Sequence, residues 1–140
     1  MLAGRRKSII LIEDHLVLRQ GLERLLNASE EFVVCEEAGD AAEGIDRVRD
    51  LRPDAVIVDV GLPGRDGIEL TKQLLLEFPD LVVVVLSAFD EPEYAVRALH
   101  AGAMAYVSKS GPIDELCRVL QSAFEGRKSF KILEKEGPVV

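Results

Sequence analysis

The segment AVIVDVGLPGRDG, residues 55–67, joins a buried apolar run to an acid and a glycine-rich turn. Residues 55–58 form an unbroken apolar run rich in β-branched side chains. A run without polar alternation suits a strand buried on both faces, as in a parallel sheet covered by helices. Asp59 closes the run, and Val60-Gly61-Leu62-Pro63-Gly64 follows as a turn. A carboxylate at the end of a buried strand is hard to explain by solubility, because an unpaired buried carboxylate is costly.

Working outward, similar runs stand at residues 9–12, 32–35 and 81–86, with a weaker one at 105–107. Helical stripes fill the gaps. Leu18, Leu22, Leu25 and Leu26 make the first, and Ala41, Ala42, Ile45 and Val48 the second. Thr71, Leu74, Leu75 and Phe78 make the third. The segment 91–101 is Ala-rich, with Ala95, Ala98 and Leu99 facing inward, and Ile113, Leu116, Cys117, Leu120 and Phe124 form the clearest stripe. Pro53-Asp54 and Pro79-Asp80 separate helices from strands, Asp90 can cap the fourth helix before Pro92, and Gly102 fits its C-cap. Strand and helix alternating five times predict an α/β fold: a five-stranded, parallel, doubly wound sheet in three α/β/α layers with right-handed crossovers. Residues 1–7 read as an N-terminal tail, 8–127 as the folded domain, and 128–140, where the pattern is lost, as a C-terminal tail or linker stub.

Composition narrows the function. With 48% hydrophobic and 30% charged residues, the chain is globular rather than disordered. A net charge of −8 argues against nucleic-acid binding by this chain, since phosphate contact needs a basic face. The longest apolar run, residues 81–86, is far short of the ~20 residues of a membrane span, and Glu13-Asp14 cut short any signal-peptide core after residue 12. The expectation is a cytoplasmic protein with no membrane contact. Cys35 and Cys117 stand far apart without a CxxC, which predicts reduced, buried thiols.

In an open α/β sheet, ligands bind outside the carboxyl ends of the strands. Those ends carry Glu13 and Asp14, then Asp59, then Ser87, then Lys109, while the second strand offers only Ala38 and Gly39. Carboxylates held about 4 Å apart repel by about 4 kcal/mol per pair at an effective dielectric near 20, so either a proton or a cation must sit among them. An oxygen-rich site suits Mg²⁺. A carboxylate nucleophile, a divalent metal, an ammonium and a hydroxyl are the parts of phosphoryl transfer to an aspartate. Gly61, Gly64 and Gly67 read as turn residues; with no Gly-Lys-Ser/Thr and no GxGxxG, nucleotide binding is unsupported. His15 and His100 read as surface residues.

The pieces Ile9-Ile10-Leu11-Ile12-Glu13-Asp14-His15, Val58-Asp59-Val60-Gly61-Leu62-Pro63-Gly64-Arg65-Asp66-Gly67, Leu86-Ser87-Ala88 and Gly102-Ala103-Met104-Ala105-Tyr106-Val107-Ser108-Lys109 resemble, in order and spacing, the response-regulator receiver domain of two-component signalling. The likeness covers roughly residues 8–126. Asp14-His15 and the Gly-Ala-x-Ala-Tyr stretch lean toward the subfamily that usually carries a C-terminal LuxR-type helix-turn-helix. The resemblance implies a flavodoxin-like (βα)5 fold with Asp59 as phosphoacceptor. It implies Mg²⁺ held by Asp14, Asp59 and the Gly61 carbonyl, with Glu13 acting through a water. Lys109 would pair with the acyl phosphate, Ser87 would move to a phosphoryl oxygen, and Tyr106 would rotate inward behind it, although Tyr106 could equally be ordinary core. The implied partners are a sensor histidine kinase or phosphotransfer protein and a second copy on phosphorylation, with transcription as output if the chain is part of a longer regulator.

Departures from the family pattern matter. Leu62 stands where Met is common, and Ser110 follows Lys109 where relatives have Pro. Gly61 and Phe89 occupy positions whose side chains in relatives tune acyl-phosphate hydrolysis, and neither can orient a water, so the resemblance implies slow autodephosphorylation. The chain would assist only its own phosphorylation and dephosphorylation and would not be an enzyme. An Mg²⁺-dependent aspartyl-phosphate phosphohydrolase usually needs a second acid two residues after the nucleophile, where this chain has Gly61. A receiver-like binding module that is never phosphorylated is weakened by the complete acid, Ser and Lys set. The residues after Gly126 are too few for a helix-turn-helix, so direct DNA binding by this chain is not expected.

Overall fold

The computed structural model describes residues 4–89 and 91–130. The apolar runs are strands and the stripes helices: β1 (Lys7–Ile12), α1 (Leu16–Ala28), β2 (Phe32–Ala38), α2 (Ala41–Leu51), β3 (Ala55–Asp59), α3 (Gly67–Glu77), β4 (Val82–Ser87), α4 (Pro92–Ala101), β5 (Ala105–Ser108), α5 (Glu115–Phe124) and β6 (Ser129–Phe130). All pairings are parallel and the strand order is β2-β1-β3-β4-β5-β6.

The two-residue period of the strands sorts the core into two layers. Ile10, Ile12, Val56, Val58, Val83 and Val85 face α2, α3 and α4, meeting Ile45, Val48, Ile68, Leu74, Ala95 and Ala98. Ile9, Leu11, Ile57, Val84 and Leu86 face α1 and α5, meeting Leu22, Leu26, Leu116 and Leu120. Both faces being covered is why these strands show no polar alternation. Among the described residues, no helix is long and apolar enough to cross a membrane.

Several expectations need correction. The sheet has six strands rather than five, because Ser129 and Phe130 pair with Ala105 and Tyr106. A strand that short, held by backbone pairing at an edge, leaves no periodicity to read. β2 runs on through Glu36 and Glu37, since an edge strand is partly open to solvent and tolerates charge. Cys35 is exposed and Cys117 only half-buried, against the expectation of buried thiols. Cys35 is the extra residue where the β1–β2 register shifts, Ile9 pairing with Val34 and Ile10 with Glu36. Leu99 is half-buried rather than core, and Ile113 is exposed because it precedes α5 rather than riding on it. The cap expected from Asp90 lies outside the described residues; α4 starts with Glu91 at the N-cap and Pro92 within its first turn, and ends at Gly102 in the left-handed conformation, φ 100°.

Candidate phosphoacceptor site

The strand order reverses between β1 and β3, which opens a crevice at their carboxyl ends. Glu13 and Asp14 leave β1 there, and Asp59 is the last residue of β3. Glu13 and Asp59 are buried while Asp14 is exposed, and carboxylate oxygens of all three lie within 4.8 Å of one another. The structure therefore unites the three acids that the sequence places about 45 residues apart.

Lys109, just beyond β5, reaches into the same crevice. Its Nζ is 2.8 Å from Glu13 Oε1 and 3.1 Å from Asp59 Oδ1. Burial of the ammonium works to lower its pKa, but Glu13 and Asp59 outweigh it and hold Lys109 above the ordinary lysine value. Burial pushes the Glu13 carboxyl up, and the like charge of Asp59 adds to this against Lys109 and the His15 amide. One ammonium thus pairs with two members of a three-carboxylate cluster. Glu13 Oε1 is enclosed, and no donor meets it with hydrogen-bond geometry despite the nearby ion pair. An oxygen-only donor set with surplus negative charge, two of its three carboxylates buried, fits a hard cation.

The surrounding backbone is fixed by short-range contacts. His15 N–H donates to Glu13 Oε2 at 3.1 Å, and Gly61 N–H donates to Asp59 Oδ1 at 3.1 Å. His15 is exposed and precedes α1 without a side-chain cap bond, and His100 is exposed near the end of α4. Gly61 is not a forced glycine: a Cβ there would meet only the Phe89 ring at 3.7 Å and Asp59 Oδ1 at 3.9 Å, ordinary contacts. Phe89 itself is partly exposed and stacks on Tyr94 with centroids 4.9 Å apart.

Ser87 and Tyr106 both engage the backbone of Phe89. Ser87 Oγ accepts from Phe89 N–H at 2.8 Å, and Tyr106 OH donates to Phe89 O at 2.6 Å with its ring buried. Both side chains therefore hold the segment after β4 through one residue's backbone.

Three contributors escaped the sequence reading. Gly67 is the first residue of α3 rather than a free turn: a Cβ there would stand 2.0 Å from Asp59 O, so the helix can start against β3 only without a side chain. Asp66 caps α3 by accepting from Ile68 N–H at 2.7 Å, and it also pairs with Arg97 of α4 at 2.6 Å. Arg19 of α1 donates to the Glu13 carbonyl at 2.9 Å. The Arg97 contact joins elements 31 residues apart and the Arg19 contact spans the turn from β1 into α1, and no local motif announces either.

Residues 9–121 match the family model of the response regulator receiver domain. The DNA-binding transcriptional activator DevR/DosR of Mycobacterium tuberculosis is 41% identical over 119 residues, covering 85% of this chain and 55% of that protein. The chain thus spans about half the length of the curated relatives it matches. A two-component response regulator of the LuxR family from Aurantimonas sp. has a similar structure, with a TM-score of 0.86 at 31% identity over 90% of both chains. The isolated REC domain of RcsB from Salmonella enterica serovar Typhimurium, in the presence of the phosphomimetic BeF3−, gives a TM-score of 0.85 at 26% identity over 93% of this chain and 100% of that one.

Proposed function

Because this chain belongs to the response regulator receiver domain family, we propose that Asp59 accepts a phosphoryl group from a sensor histidine kinase or phosphotransfer protein. The observation that carries the assignment is the crevice itself. Asp59, buried at the end of β3, has Lys109 at 3.1 Å and shares a 4.8 Å carboxylate cluster with Glu13 and Asp14. An Asp59 oxygen bonds to phosphorus as the phosphorus–nitrogen bond of a phosphohistidine breaks, and the imidazole departs with the electron pair. Asp14, Asp59, the Gly61 carbonyl and, through a water, Glu13 would hold Mg²⁺, which supplies neutralising charge to the phosphoryl oxygens when bound. Lys109 pairs with the acyl phosphate, Ser87 leaves Phe89 N–H for a phosphoryl oxygen, and Tyr106 follows as the Phe89 backbone shifts.

The acyl phosphate decays slowly in this reading. Gly61 carries no side chain, and the neighbouring Phe89 ring cannot orient a water. The same Gly61 disfavours a phosphohydrolase, and the full acid, Ser and Lys set disfavours a module that is never phosphorylated. We take residues 8–127 as the receiver, working in the cytoplasm, with Ser129 and Phe130 beyond it adding β6 to the sheet. A second copy binds on phosphorylation. Transcriptional output comes through a partner or a further domain rather than through direct nucleic-acid contact by this chain.

Beryllofluoride or a small phosphodonor with Mg²⁺ is expected to shift the amide resonances of Gly61, Ser87 and Lys109. Asp59→Asn abolishes that shift, and a shift surviving the substitution would refute the assignment. Radiolabel decay in Mg²⁺ checks the slow hydrolysis, which a phospho-Asp59 lifetime of seconds would exclude.

A further inference from the structure

We infer that Arg19 is a positioning residue for the acidic pair, and that Gly39 leaves room for it. The inference rests on reading Glu13, Asp14 and Asp59 as a Mg²⁺ site. Arg19 lies in the first turns of α1, and its guanidinium bridges two elements. NH1 donates to the Glu13 carbonyl at 2.9 Å, and Nε donates to Glu37 Oε1 on β2 at 2.9 Å. The Arg19 side chain is 20% exposed and that of Glu37 24%, so the bridge is largely shielded from solvent. The planar guanidinium fork fixes both bonds in one orientation, which a lysine ammonium cannot do.

The bonded carbonyl belongs to the peptide that joins Glu13 to Asp14. The flanking groups are fixed as well: the N–H of the preceding peptide, on Glu13, donates to Ala38 O at 3.0 Å, and the Glu13 carboxylate accepts from His15 N–H at 3.1 Å. Asp14 is exposed, and among the described contacts no hydrogen bond or ion pair to its carboxylate is found. The direction of the Glu13–Asp14 peptide therefore decides where that carboxylate sits relative to Asp59. Gly39 supports the same role, because a Cβ there would stand 3.3 Å from Arg19 NH1 and press on the guanidinium. The end of β2, which brings no side chain of its own to the carboxylate cluster, thus contributes the anchor and the space for Arg19.

Titration of the full chain with Mg²⁺ alone, followed through the Gly61 and Asp14 amide resonances, tests the inference. Loss of a supporting contact around a metal site typically costs 10–100-fold in affinity. Because Arg19 holds backbone rather than a carboxylate, Arg19→Ala is expected at the low end, about tenfold weaker. Arg19→Lys recovers part of the affinity. Gly39→Ala weakens Mg²⁺ binding in the same direction but adds nothing in an Arg19→Ala background, because both act through one guanidinium. A strut that merely braces α1 against β2 would lower stability in Arg19→Ala and leave the Mg²⁺ affinity unchanged. Unchanged affinity in Arg19→Ala, or additive losses in the double variant, overturns the inference. Should Arg19→Ala fail to fold, unchanged affinity in Gly39→Ala overturns it alone. If the unsubstituted chain shows no Mg²⁺-dependent shift at Gly61 or Asp14, the Mg²⁺ reading itself fails, and this inference with it.

Discussion

At the scale of single residues, Lys109 holds two buried carboxylates in place, and its contribution is set by pH from both sides. With the ammonium removed, Glu13 and Asp59 face each other uncompensated at the end of two buried strands. Breaking a buried pair by removing one partner typically costs 3–5 kcal/mol, and because Lys109 is partly exposed we expect about 3 kcal/mol for Lys109→Met near neutral pH. The folded-state pKa of Glu13 is raised, so its charged form is disfavoured in the folded state. That penalty is full above the raised value and vanishes as pH falls below the ordinary glutamate value of about 4.3. The pKa of Lys109 is raised too, so its stabilising contribution is full below the ordinary lysine value and is lost as pH rises through the folded one. Urea unfolding across pH should therefore find the gap between parent and variant widest near neutrality and narrowing toward both acid and alkali. A gap constant across pH would mean that Lys109 acts through its methylene packing instead.

At the scale of elements, the junction between β3 and α3 separates two reasons for a glycine. Gly64 has φ +73° with open space around its Cβ position, whereas Gly67 would drive a Cβ to 2.0 Å from Asp59 O. Gly64→Ala costs only left-handed strain, about 1 kcal/mol. Gly67→Ala is an overpacking against backbone, for which about 3 kcal/mol is expected, and it displaces Asp59 as well. Chemical denaturation ranks the two, and only Gly67→Ala should also weaken the response to beryllofluoride; the reverse order would mean that α3 can shift away from β3 at little cost. Both glycines read as turn residues in the sequence. The distinction was not legible there, because it depends on how closely a helix start approaches a strand end.

For the molecule as a whole, the sheet is closed on the β5 side by the shortest strand. β6 pairs its two residues with Ala105 and Tyr106, and Phe130 packs against the core layer that holds Tyr106. A fully buried Phe→Ala change costs 3–5 kcal/mol; for the half-buried Phe130 we expect about 1.5 kcal/mol in Phe130→Ala, read by urea unfolding. No loss of stability would mean that β6 lies on the edge without contributing to the fold.

The apolar runs, the helical stripes, and the acids, Ser and Lys at the strand ends were all readable in the sequence. They depend on local periodicity, and an open parallel sheet sends every strand's carboxyl end to one rim. Local pattern is therefore enough for the fold class and for placing Glu13, Asp14, Asp59, Ser87 and Lys109 on one rim. Which of them meet depends on how the elements pack. Glu13, Asp59 and Lys109 form a buried ion cluster, while Ser87 and Tyr106 hold the backbone of Phe89. The sixth strand, the exposed Cys35, the close approach at Gly67 and the Arg19 bridge likewise depend on that packing. Each is an edge pairing or a matter of how closely two elements approach, and such contacts are fixed by distances that no local pattern encodes.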